Sequence, residues 1–218
     1  MPVGREGTRL FPVRVVVAPD SFTGSCSARD AALAVARGWR SARPDDEVLV
    51  LPQADGGVGT LEVVAEAVPD AVVREAGEVT GADGRPAPAR WLELPDGRAL
   101  VELADCVGLW RMDHPDPLGA STRGLGELLA RVLDAGATRV VVGLGGSAST
   151  DGGSGALAAL GARLMDAEGN ELPHGGGALE RLDHVDLSGL RTPPAALELW
   201  CDVDAPLVGP RGAASVFG

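Results

Sequence analysis

The chain is 218 residues long, 45% hydrophobic and 23% charged, enough for one large or two small soluble domains with a core built from Val, Leu and Ala, since aromatics make up only 3%. Its formal net charge is −12, which disfavours nucleic acid and anionic membrane surfaces as partners. No apolar run approaches the roughly 20 residues a bilayer span needs, and the N-terminal stretch "MPVGREGTRLFPV" lacks a signal-peptide apolar region, so a cytoplasmic protein is expected.

Residues 13–18, "VRVVVA", read as a buried strand. Ser27 and Asp30 are spaced as a capping box, so a helix is expected to run to about Ser41, with Leu33, Val35, Ala36 and Trp39 among its apolar positions. "EVLVLP" at 47–52 reads as a second strand, and "TLEVVAEAV" at 60–68 as a second helix. Two successive strand–helix units predict a parallel sheet. The pattern changes at 71–104, where "AVVREAGEV", "ARWLEL" and "RALVELA" alternate with Asp-Gly turns, an antiparallel signature that puts a domain boundary near residue 76. From Arg123, Leu125, Leu128, Leu129, Val132 and Leu133 form one helical stripe, with Gly136 suited to its end. "TRVVVGL" is the next strand, and Leu157, Leu160 and Leu164 predict a helix after the glycine-rich loop. "LELWCDVD" at 197–204 is the last strand, preceded by a Pro-rich loop at 191–196. The expected fold class is α/β, with domains at 1–76 and 77–218.

Four polar loops follow strands: "APDSFTGS" at 18–25, "QADGGVGT" at 53–60, "GLGGSASTDGG" at 143–153 and "CDVDAPL" at 201–207. Ligands of open α/β sheets bind at the carboxyl ends of strands. Each loop carries acid: Asp20, Asp55, Asp151, and Asp202 with Asp204, which a strand would point to one face. Paired carboxylates suit Mg²⁺ shared with phosphates, while an Asp before Gly-Gly also makes an ordinary turn. "GLGGSA" matches a dinucleotide-binding fingerprint, with Asp166 as a loose match to its distal acid, and it is no Walker A loop. The N–H groups of Gly145, Gly146 and Ser147 could hold an anion near a helix N-terminus. The chain has no Lys, so all 19 basic residues are Arg. Cys26, Cys106 and Cys201 read as buried small hydrophobes, and His114, His174 and His184 as surface residues.

Together the segments "VVVAPDSFTGSCSA", "LPQADGGVGT", "GLGGSASTDGGSGALAALGARLMDAEGNELP" and "CDVDAPLVGPRGAASVFG", with a weaker match in "HPDPLGASTRGLGELL", resemble the glycerate kinases of the bacterial glycerate 2-kinase type over residues 13–218. The resemblance implies ATP- and Mg²⁺-dependent phosphorylation of D-glycerate to 2-phosphoglycerate. It also implies an incomplete flavodoxin-like parallel-sheet domain and a β/β/α domain flanking the active site. Carried onto this chain, it implies Asp151 and Asp202 as catalytic groups, Ser21, Gly145, Gly146 and Ser147 as substrate or phosphate contacts, and Asp20, Asp55 and Asp204 as metal ligands. Arg211 is a candidate phosphate contact. The family pattern has Lys where this chain has Thr23, Glu at Val58, Asn at Thr150 and Asn at Ala205, and it continues beyond "VFG" with a long C-terminal part. A parallel sheet exposed at its edge then predicts a homo-oligomer or a complementing C-terminal chain as partner. The alternatives are a non-catalytic remnant of such a kinase and, on "GLGGSA" alone, a dinucleotide-dependent oxidoreductase.

Overall fold

The computed structural model describes residues 11–191, 196–206 and 208–217, so most of the Pro-rich loop expected at 191–196 lies outside the described residues. The chain forms two compact units, residues 1–53 and 54–218.

In the first unit, strand β1 (Arg14–Val17) pairs in parallel with β2 (Glu47–Val50), from Arg14 opposite Glu47 to Val17 opposite Val50. Helix α1 (Ala28–Ala42) is the crossover. Its start is the expected capping box: the Ser27 hydroxyl accepts from the Asp30 N–H at 3.1 Å and donates to the Asp30 carboxylate at 2.9 Å. The buried stripe is alanine, Ala28, Ala31, Ala32 and Ala36, while Val35 and Trp39 are exposed. Small side chains let the helix lie close to the two strands. Beyond the helix, Asp46 is buried and accepts from Arg43, from Trp39 Nε1 at 2.9 Å and from the Val13 N–H at 3.1 Å. The Arg43 guanidinium holds this carboxyl well below the usual carboxylate range.

The second unit is built on a five-stranded sheet, in the order β3 (Val72–Thr80), β4 (Pro86–Glu93), β5 (Arg98–Glu102), β6 (Arg139–Gly143) and β9 (Ala196–Trp200). The first three are antiparallel, as the Asp-Gly turns predict, and β5, β6 and β9 are parallel. Because side chains alternate across a strand, each central strand feeds two cores. Ala99, Val101, Val140 and Val142 meet Leu125, Leu128, Leu129 and Val132 of helix α4 (Arg123–Asp134). Leu100 and Val141 face the other way and meet Leu61 of helix α2 (Thr60–Ala67), with Leu92 and Leu94. Helix α2 packs on this sheet, and the compact units divide after Gln53. A β-bulge between Glu75 and Gly77 is fastened by Arg131, which donates to the carbonyls of Ala76 at 2.6 Å and Glu78 at 2.7 Å.

Three expectations fail locally. The expected extended segment 98–104 turns at Leu103 into a short helix, α3 (Leu103–Val107). The helix after the glycine-rich loop, α5 (Ser154–Ala159), has only six residues: Gly161 at φ 103° breaks it, and Leu164 joins strand β7 (Arg163–Met165), which pairs with β8 (His184–Asp186). Finally, β9 stops at Trp200, so Asp202 and Asp204 lie on exposed irregular chain and share no strand face. A last helix, α6 (Ala213–Phe217), follows. Among the described residues, no helix is long and apolar enough to cross a membrane.

Candidate functional site

The register of the second unit sets the ends of its parallel strands level: Glu102 pairs with Gly143, and Gly143 with Trp200. The glycine-rich loop leaves Gly143, and the "CDVDAP" segment leaves Trp200. The 53–60 loop lies against both. Gly56 O accepts from the Gly145 N–H at 3.0 Å, and Trp200 O accepts from the Leu144 N–H at 3.0 Å. The contact is backbone on backbone. A Cβ on Gly143 would stand 2.6 Å from Gly56 O, and one on Gly145 would stand 2.6 Å from Gly57 Cα, so neither position accepts a side chain. Two of the four loops read as functional therefore meet at the end of the sheet where a third, the 201–207 loop, begins. Asp20 and Ser21 stand in the other unit, on the loop after β1.

Asp151 is not poised for proton transfer. It is 1% exposed, and both carboxylate oxygens are occupied. Oδ2 accepts from the Thr122 N–H at 2.8 Å, the Thr122 hydroxyl at 2.9 Å and the Gly155 N–H at 3.1 Å, and Oδ1 from the Gly153 N–H at 3.0 Å. Thr122 Oγ1 in turn accepts from the Ala156 N–H at 3.0 Å. This network ties the start of α4 to the start of α5. A general base must reach its proton; in this geometry the Asp151 carboxylate is engaged as a clamp between two helices. The same network uses the N–H groups of Gly153, Gly155 and Ala156 at the start of α5. Gly145 likewise spends its N–H on Gly56. Gly146 is exposed, and Ser147 is half-buried with its hydroxyl 2.8 Å from that of Ser149.

Asp55 repeats the turn at smaller scale: Oδ1 accepts from the Gly57 N–H at 2.9 Å, yet the side chain is exposed. Asp202 and Asp204 are exposed. Among the described residues, no group of three or more His, Cys, Asp or Glu is placed to hold a metal by itself. The exposed carboxylates nevertheless suit an ion such as Mg²⁺, which keeps waters and takes one or two protein carboxylates alongside substrate phosphates.

Two residues of the junction went unrecognised in the sequence. Thr122 sits in "GASTRGLG", where a polar pair before the leucine stripe was the only signal. Glu102 ends an apolar strand and carries no local signal. It is buried, with its carboxylate accepting from the Gly59 and Leu61 N–H groups, each at 3.0 Å. Burial pushes its pKa above the usual value against the pull of those two N–H groups, and Asp105 and Glu62 add to the rise. Beside it lies a cavity of about 260 Å³ lined by Val58, Gly59, Arg90, Glu102, Trp110 and Arg111, among others. Arg111 stacks 4.3 Å from the Trp110 ring centroid, and its buried Nε has no hydrogen-bond partner. Of the cysteines, Cys106 is buried with its thiol pushed up to about 12 by burial, whereas Cys26 is half-buried and Cys201 exposed. The three histidines are exposed, as expected.

Comparison with known proteins agrees with the loop motifs. The Glycerate kinase family matches residues 15–218. The chain belongs to the glycerate kinase family. It is 46% identical over 211 residues to the glycerate kinase of Bacillus subtilis (strain 168), covering 94% of this chain and 55% of that relative. It is 42% identical to the glycerate 2-kinase of Escherichia coli (strain K12), with the same coverage. A crystal structure from Salmonella typhimurium LT2, assigned as a glycerate kinase 2, superposes with a TM-score of 0.76 at 42% identity, covering 94% of this chain and 56% of that one. The chain thus spans about half the length of these family members, and its mixed parallel and antiparallel α/β architecture superposes on the matched part of the Salmonella structure.

Proposed function

We propose that this chain carries ATP-dependent phosphorylation of D-glycerate to 2-phosphoglycerate, either by itself or joined to a complementing C-terminal chain or a second copy. The observation that supports this best is that the 53–60 and 143–150 segments meet at the carboxyl end of the parallel strands, where the 201–206 segment begins, each matching a family motif. Phosphoryl transfer asks mainly for positioning and charge neutralisation, which such a junction of acids and exposed loop backbone can serve.

In this reading Asp55 and Asp204 hold Mg²⁺. That ion would neutralise phosphate charge that a chain of net charge −12 would otherwise repel. Gly146 and Ser147 contact phosphate or substrate oxygens. Asp202, exposed after β9, takes the role of orienting the glycerate hydroxyl, while Asp151 holds the loop in place. A cytoplasmic setting, where ATP is available, goes with this reading.

A second reading, a binding chain without turnover, is favoured by Thr23 and Val58, where the family pattern has a cation and a carboxylate. A coupled ADP-release assay with D-glycerate, ATP and Mg²⁺ separates the two. Turnover by the purified 218-residue chain supports the kinase. Absence of turnover, alone and with a relative's C-terminal half supplied, supports the binding chain.

A further inference from the structure

Two glycine loops of the larger unit end in the same way. Helices α2 and α5 both start after a glycine in the left-handed region, Gly59 at φ 94° and Gly153 at φ 86°, and neither glycine has a side chain to cap the helix. For α5 the cap comes from Asp151 in the same loop. For α2 it comes from Glu102, distant in sequence, at the end of a central strand. Gly59, at φ 94°, is in a conformation that a capping Ser or Thr would not readily adopt, so the cap has to come from elsewhere in the chain. Glu102 is the register partner of Gly143, where the glycine-rich loop begins, and Gly56 of the loop it grips accepts from Gly145 of that same glycine-rich loop. The chain of contacts runs from Glu102 to Gly59 and Leu61, back along the loop to Gly56, and across to Gly145.

We infer that Glu102 is a positioning residue that holds the 55–61 loop, and with it Asp55, in register against the glycine-rich loop. The sheet supplies a rigid anchor at Glu102, and the two loops supply the surfaces to be aligned. Both oxygens are needed because two N–H groups, two residues apart, must be held together to fix the loop's angle as well as its height. The role in phosphoryl transfer rests on the function proposed above; the alignment of the loops does not.

The test is Glu102→Gln in the full chain, which keeps size and one acceptor but turns an amide N–H₂ toward the other N–H. Amide hydrogen exchange read residue by residue should quicken by about tenfold or more at Gly59 and Leu61, the loss expected for a hydrogen bond to a charged group. It should also quicken at Gly145, which Glu102 does not touch, while Val101 and Val141 in the sheet stay protected. Glu102→Asp, one methylene shorter, should show the same pattern. Where the wild type turns over, the KM for Mg·ATP should rise by a larger factor than kcat falls. Quickening at Gly59 and Leu61 with Gly145 unchanged would reduce Glu102 to a local helix cap and overturn the inference, as would unchanged exchange at all three. A wild-type chain without turnover would count against the kinase reading alone, because the exchange pattern is read without it.

Discussion

Two buried carboxylates show how a residue's partners decide its work. Asp151 has the sequence context of a reactive acid, yet every contact it makes is internal. Asp151→Ala strands several buried N–H and hydroxyl donors and should cost about 3 kcal/mol or more in denaturant unfolding. A catalytic base would behave in the opposite way, with stability kept and turnover lost. Asp46 offers a pH test in the smaller unit. The hydrogen bond from Arg43 is the largest cause of its lowered pKa. Its stabilising contribution is therefore full above the unfolded value near 3.8 and is lost as pH falls through the lower folded value. Asp46→Asn should be less stable than wild type at neutral pH. It should also lose less further stability between about pH 4 and pH 2, as followed by circular dichroism.

At the scale of elements, helix α4 carries both the best and the least legible features. Its leucine stripe was plain in the sequence, and Leu125, Leu128, Leu129 and Val132 are buried as the spacing requires. Gly126 was not legible, because its meaning lies in what stands opposite. A Cβ there would meet Ala156 O at 2.4 Å and Ala156 Cα at 2.7 Å, backbone atoms that cannot swing aside. Gly126→Ala gains roughly 1 kcal/mol of helix propensity but must part α4 from α5. The packing loss should win, with a net destabilisation of about 1–3 kcal/mol in thermal or denaturant melts. The α5 misreading has a similar origin. Leu157, Leu160 and Leu164 keep helical spacing, but Gly161 reverses the chain between them, since its N–H bonds Ala158 O and Leu164 is recruited by β8. Apolar periodicity alone reports neither a glycine stop nor a strand partner some twenty residues downstream.

For the molecule as a whole, both large apolar clusters lie within residues 54–218. A chain of residues 54–218 alone should therefore unfold cooperatively and give a dispersed amide spectrum. A molten spectrum would show that the first unit is needed for that core.

By itself the sequence determined the α/β class, the capping box at Ser27, the leucine stripe of α4, the Asp-Gly turns of the antiparallel strands and the four loop motifs that carry the family. These are local patterns, set by side-chain periodicity and turn chemistry within a few residues. Only the tertiary structure decided that Asp151 is a clamp, that β9 ends before Asp202, that α2 belongs to the larger unit and that Glu102 grips the Asp55 loop. Each of these depends on a partner some thirty or more residues away or on where a hydrogen-bond ladder stops, and contacts across that distance leave no period in the chain to read.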